Sequence, residues 1–201
     1  MINKPKYKIA RRLGANIFEK TQTPKFATRA ERKGGKGPYR PKGEYATAML
    51  EKQKVRYTYG ILERQFRKYV RESVAKTGIN TAQALYERLE TRLDNAIYRL
   101  GIASTRLGAR QMVSHGHVMV NGARVNIPSF SVGIGDKISI RPASFKKPLF
   151  RDYDEKMKKI NVPAWLSYDV DKKIATVSSP PKWSPMEHLF NLGQVIEFYS
   201  R

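Results

Sequence analysis

The feature that most restricts the fold is an apolar stripe, Leu85, Leu89, Leu93, Ile97 and Leu100. A large aliphatic residue every three or four positions is the spacing of a helix with one buried face. Asn80 followed by Gln83 has the arrangement of a capping box, and Gly101 supplies a left-handed stop. The pattern therefore predicts one helix over Asn80–Leu100. A second, shorter helix is expected to start at Ser104/Thr105, run through Met112 and Val113, and stop at Gly116. Met112 and Val113 should face Leu93 and Ile97. The period then changes to that of strands. Two short apolar runs flank Asn121-Gly122, a strong hairpin signal because both central residues must take positive φ. Gly135–Ile140 reads as a further turn and strand. Helix, turn, helix and then a small sheet is an α+β order.

Upstream, Lys33-Gly34-Gly35-Lys36-Gly37-Pro38-Tyr39-Arg40-Pro41-Lys42-Gly43 is too rich in Gly and Pro for a helix or central strand. Residues 1–43 read as an extended basic arm with one short helix around Ala10–Phe18. Glu44–Arg56 is helix-compatible. From Gly60, apolar residues recur at Ile61/Leu62, Phe66, Tyr69/Val70 and Val74, a buried helical stripe ending at Thr77-Gly78. Downstream, Asp152–Ile160 reads as a short helix and Ala164–Val177 as a hairpin around Asp169–Lys172. Met186–Arg201 spaces its apolar residues too evenly to separate helix from strand. No internal repeat is present.

Charge selects the partner. The chain carries 39 Lys+Arg against 17 Asp+Glu, a net +22. A folded body with that charge repels itself unless a polyanion binds and releases counterions. No run reaches the roughly 18–20 apolar residues of a membrane span, and no apolar amphipathic face carries the basic residues, so nucleic acid rather than a membrane is expected. Residues 1–56 hold 16 basic residues against 4 acidic, while residues 151–201 hold 8 against 7. The polyanion-facing surface should lie in the N-terminal three-quarters. The near-neutral tail should pack against the helical part and a protein neighbour. The N-terminus lacks the apolar core of a secretory signal, so a cytoplasmic location is expected.

Catalytic readings find little material. Cysteine is absent, which excludes thiolate chemistry and thiolate zinc sites. Gly34-Gly35-Lys36-Gly37 lacks the flanking strand and Lys-Ser/Thr of a nucleotide loop. His115 and His117 have no Cys and no acid nearby in the sequence, too few ligands for one metal. No metal, cofactor or small-molecule substrate is expected.

The candidate RNA-contacting residues fall in three groups. The arm contributes Lys33, Lys36, Tyr39, Arg40 and Lys42. The two helices after it contribute Lys52, Lys54, Arg56, Tyr57, Arg64, Arg67, Lys68 and Arg71. The helix-turn-helix and hairpin contribute Arg92, Arg99, Thr105, Arg106, Arg110, Gln111, Ser114, His115, His117, Asn121, Gly122 and Arg124. Basic and amide side chains around a helix start suit phosphate oxygens. Arg106 and Arg110, four apart, share one helix face. That face is expected to point outward, so that replacing both would cost affinity and leave stability nearly unchanged.

Glu51-Lys52-Gln53-Lys54-Val55-Arg56-Tyr57-Thr58-Tyr59-Gly60-Ile61-Leu62-Glu63-Arg64-Gln65-Phe66-Arg67 resembles the signature of the S-four family of bacterial small-subunit ribosomal proteins. Leu89–Asn95 and Ala109–Gly122 are similar to that family's RNA-binding module, and Ile196–Arg201 to its C-terminal ending. The motifs stand in family order over residues 40–201. The first 30 residues depart from the family's usual opening, and the Cys-based zinc knuckle of some members is missing, so zinc is not carried over.

The resemblance implies a helical domain of residues 44–90 plus 181–201, with the RNA-binding module, residues 91–180, inserted into it. It implies binding to the 5′ part of small-subunit ribosomal RNA early in assembly. It further implies contact with ribosomal protein S-five, through Glu197, Phe198 and Tyr199, a contribution to translational accuracy, and a place beside incoming messenger RNA. The competing readings are an RNA-modifying enzyme that uses the same module, and a translational repressor of its own messenger. An enzyme would need a catalytic domain of roughly 100 residues for which the chain has no room.

Overall fold

The stripe from Leu85 to Leu100 does not run as one helix. A computed structural model describes residues 5–26, 28, 43–76, 78–158 and 161–200, and in it the stripe is divided between α4 (Thr81–Glu90) and α5 (Leu93–Arg99). Arg92 between them is extended, at φ −64° and ψ 135°. The cause is tertiary. The loop at residues 128–132 crosses this point, where Leu93 and Asp94 donate their N–H groups to the carbonyls of Phe130 (2.8 Å) and Pro128 (3.1 Å), and Val132 donates to Thr91 (2.9 Å). These bonds satisfy backbone groups that a continuous helix would have paired internally. The stripe stays buried on both sides of the break, with Leu85, Leu89, Leu93, Ile97 and Leu100 all at 0% exposure.

The chain divides into two compact units, Met1–Leu85 with Trp183–Arg201, and Tyr86–Lys182. In the second unit, α5 is followed by Gly101 at φ 65°, the left-handed stop its sequence position called for. Helix α6 (Arg106–Ser114) is capped by Thr105, whose hydroxyl oxygen accepts from Gly108 N–H at 3.0 Å. Strands β1 (Val118–Val120) and β2 (Ala123–Val125) turn about Asn121 (φ 50°) and Gly122 (φ 80°). Three further strands, β3 (Lys137–Ile140), β4 (Leu166–Asp169) and β5 (Ile174–Val177), complete an antiparallel sheet of order β2-β1-β3-β5-β4. In its register Val118 faces both Val125 and Ile140, and Ile138 faces Ala175. Alternation puts Val118, Val120, Ile138, Ile140, Ala175 and Val177 into one core with Leu93, Ile97, Leu100, Met112 and Val113. A short helix, α7 (Tyr153–Lys158), adds Tyr153 and Met157 to that core. The fold is α+β.

In the first unit, α1 (Lys6–Leu13) starts before the expected Ala10–Phe18 helix and ends before it too, stopped by Gly14 at φ 64°. Leu13 and Ile17 pack on Leu50 of α2 (Glu44–Tyr59). Gly60, at φ 62°, then turns the chain into α3 (Glu63–Val74). Phe66, Tyr69 and Val70 are buried as the stripe required. Leu62 and Val74 are exposed instead, and Ser73 takes the buried position, donating its hydroxyl to Tyr69 O at 2.9 Å. The helix ends at Val74, short of Thr77-Gly78. The ambiguous tail forms helix α8 (Leu192–Ser200), with Leu192 and Val195 fully buried three apart. Its rings meet those of α2 and α3, Phe198 on Tyr45 at 5.3 Å and Tyr199 on Phe66 at 6.0 Å.

Candidate nucleic-acid interface

The helix-turn-helix arginines hold the second unit together. Asp94 is 2% exposed, and its carboxylate accepts from Arg92 Nη2 (2.7 Å), Arg92 Nε (3.0 Å) and Arg110 Nε (2.8 Å). Glu90, at 0% exposure, accepts from Arg99 Nε (2.7 Å) and Nη2 (2.8 Å). Arg106 donates to Asn95 Oδ1 at 2.9 Å and lies over the Tyr98 ring at 4.3 Å. Asn95 in turn donates to Glu90 Oε2 at 3.0 Å. Buried carboxylates must be paired, and these arginines pair them. This corrects the expectation of an arginine face directed outward. Arg92 is buried, and Arg106 and Arg110 turn back toward α5 and remain only partly exposed. Removing Arg110 must cost stability as well as any affinity.

Six further cations of this unit enter no such pairs. Arg124, Lys137, Arg141, Lys146, Lys147 and Arg151 are exposed, and none makes an ion pair with a described carboxylate. Arg124 lies across Gly116, where its guanidinium fills the space of a side chain, and donates from Nη2 to His115 O at 3.5 Å. Next along the chain, His117 is buried with Nδ1 2.9 Å from Ser144 Oγ and its ring edge-on to Phe150. Burial, and then the positive charges of Lys147, His115, Arg124 and Arg141, hold the His117 pKa below the ordinary imidazole value. A cavity of about 170 Å³ beside it is lined by Gly108, Gln111, Met112, His115, His117 and Leu149. Ser114 is exposed at the end of α6. Asn121 is a turn lock, donating to Asp136 Oδ1 (2.8 Å) and accepting from Lys137 N–H (2.9 Å), and Gly122 supplies the positive φ beside it.

In the first unit the signature residues close a second internal network. Glu63 accepts from Lys52 (3.3 Å), Arg56 (2.8 Å) and the Tyr199 hydroxyl (2.5 Å). Burial works to raise the Glu63 pKa, but the Tyr199 hydroxyl, Lys52 and Arg56 together outweigh it and hold it low. Burial and the Glu63 contact raise the Tyr199 phenol. Lys52 also lies over the Phe198 ring at 4.4 Å. Glu51 pairs with Lys54 at 2.6 Å and accepts from Asn191 N–H at 2.8 Å. Tyr57 packs edge-on against Phe18. Lys52, Lys54, Arg56, Phe198 and Tyr199 thus spend contacts on fixing α8, while Glu197 is exposed on it. Arg64, Arg67, Lys68 and Arg71 differ from these. They are exposed along α3 and line one groove, where Lys68 pairs with Glu72 at 3.7 Å. Lys33, Lys36, Tyr39, Arg40 and Lys42 lie outside the described residues.

The motif-based reading stops at Arg124 and leaves out Arg141, Lys146, Lys147 and Arg151. A signal for them was present, since residues 137–151 contain five Lys/Arg and no Asp/Glu. Among the described residues no three His, Cys, Asp or Glu side chains are placed to hold a metal ion, and no helix is long and apolar enough to cross a membrane.

A capped helix pair on a small antiparallel sheet, bordered by cations without carboxylate partners, defines a small RNA-binding module joined to a helical unit. Comparison with known proteins gives the family. Residues 91–138 match the S4 domain, and residues 2–90 match the ribosomal protein S4/S9 N-terminal domain. The chain is 41% identical over 197 residues to the small ribosomal subunit protein uS4 of Chlorobium limicola, covering 96% of each chain. It is 40% identical over 201 residues to uS4 of Laribacter hongkongensis, covering 98% of this chain and 97% of that one. It is 38% identical over 198 residues to uS4 of Akkermansia muciniphila, with the same coverage. The chain belongs to the S-four family of small-subunit ribosomal proteins, a structural and non-enzymatic family.

Proposed function

We propose that this chain binds small-subunit ribosomal RNA in its 5′ region early in assembly and works in the cytoplasmic ribosome. The observation that carries the reading is the set of exposed cations without carboxylate partners on a module that matches the S4 domain. Such a surface gains free energy when its cations displace the counterions condensed on RNA phosphates. The α3 cations, Arg64, Arg67, Lys68 and Arg71, offer the first unit's share of the same backbone contacts. Helix α8 presents Glu197 toward ribosomal protein S-five, with Phe198 and Tyr199 supporting it from beneath. Through that contact the chain contributes to translational accuracy, and it borders incoming messenger RNA.

The test is sedimentation of cell lysate on a sucrose gradient, with the protein followed by antibody. Co-migration with small subunits and their assembly precursors is expected. Protein confined to the top of the gradient would reject the reading.

A further inference from the structure

We infer that the phosphate-binding centre of the second unit is the ring of cations around His117, formed by Arg124, Arg141, Lys147 and His115, and that it takes backbone phosphates of folded RNA. This rests on the RNA-binding reading above and moves the centre of contact away from Arg92, Arg99 and Arg110. Those three arginines hold Asp94 and Glu90, and an arginine that neutralises a buried carboxylate has less charge to offer a phosphate. The ring has no such carboxylate. Its members come from separate stretches of chain that the fold draws together.

Backbone geometry sets the ring. Arg141 directly follows β3, and its N–H donates to His117 O at 2.8 Å. Two tight turns follow, the first opened by Pro142 and the second by Pro148, with φ fixed at each proline. Ser144 N–H donates to Arg141 O (2.8 Å), and Lys147 N–H donates to Ser144 O (2.9 Å). The Ser144 hydroxyl meets His117 Nδ1, so the turn carrying Arg141 and Lys147 is fastened to the loop carrying His115 and His117. Arg124 closes the ring from β2. Its place over Gly116 requires the missing side chain, because a Cβ there would collide with the guanidinium.

Burial first, and then the same four neighbours, lower the His117 pKa, which agrees with their closeness to the ring. Cations held close by the backbone repel one another in the free protein, and an arriving phosphate relieves that repulsion without rearrangement. Because His117 is buried, its own imidazole offers no base-reading edge, and what the ring contributes is charge at the RNA backbone.

The experiment uses full-length protein and a folded transcript of the 5′ part of small-subunit ribosomal RNA. Affinity is measured against salt for wild type, for Arg141→Gln with Lys147→Gln, and for a control, Lys172→Gln with Lys182→Gln, of equal charge change. With about 0.9 counterions released per phosphate, the ring variant should flatten the log–log salt slope by roughly two, and the control by less than about 0.5. Both substituted ring residues are exposed and unpaired with acids, so melting should be unchanged. If the double variant unfolds, Lys147→Gln alone should flatten the slope by about 0.9. Ring and control variants that bind alike would overturn the inference and leave the RNA-binding reading standing. Wild-type protein that fails to bind the transcript would remove that reading itself.

Discussion

Replacing Asp94 by alanine tests whether the module's arginines are structural. Asp94 is 2% exposed, between Arg92 at 4% and Arg110 with a side chain 20% exposed. Without the carboxylate, Arg110 can turn toward water, but Arg92 stays in the interior and loses the acid it was buried with. Breaking a buried pair by removing one partner costs about 3–5 kcal/mol. Near the surface, loss of the Arg110 contact adds less, roughly 0–1 kcal/mol. A domain of this size loses about 4–8 °C of Tm per kcal/mol, so the second unit should melt at least about 12 °C lower. Urea unfolding followed by tryptophan fluorescence is the assay, since Trp165 is buried in the same core. Arg92→Ala should cost less, because Asp94 keeps Arg110, and Arg110→Ala least. A loss below about 1 kcal/mol for Asp94→Ala, or the reverse order, would refute the argument.

Glu63 titrates below its ordinary value of 4.5 when folded, so its network stabilises fully above that value and fades as pH falls through the folded pKa. Glu63→Gln should therefore make the first unit's melting less acid-dependent between about pH 5 and 3; parallel curves would show the network to be inert. Gly122→Ala meets no atom within 4 Å but must hold φ at 80°, so a purely backbone loss of roughly 1–2 kcal/mol is expected by denaturation, and an unchanged midpoint would contradict the turn assignment. Deleting residues 195–201 removes buried Val195 and the Tyr199–Phe66 contact, which should cost the first unit at least about 2 kcal/mol. RNA affinity of the remaining folded protein should change little; a large loss would place α8 at the RNA.

What was legible in the sequence was whatever local chemistry decides. Thr105 caps α6, Gly101 stops α5, and Asn121-Gly122 turns the hairpin, each through its own backbone preference. The break between Glu90 and Leu93 was not legible, because Pro128 and Phe130, some 35 residues on, supply the bonds that open the helix. The same limit applied to the arginines. Their positions suggested a phosphate face, but Arg110 meets an Asp94 16 positions earlier and Arg99 a Glu90 9 positions earlier, which only folding brings together. Helix α8 was ambiguous because its apolar residues cover more than one face. Leu192 and Val195 turn inward while Phe198 and Tyr199 pack on Lys52 and Glu63. The acid-free run from Lys137 to Arg151 was visible but fell outside the recognised motifs.

The salt dependence of affinity for the folded 5′ small-subunit RNA tests the central claim most directly. If six to ten phosphates are neutralised, affinity should fall roughly 10³- to 10⁵-fold between about 50 and 200 mM salt, by analogy with duplex DNA. An affinity that stays flat over that range would contradict the account, because cations that release no counterions are not bound to phosphate.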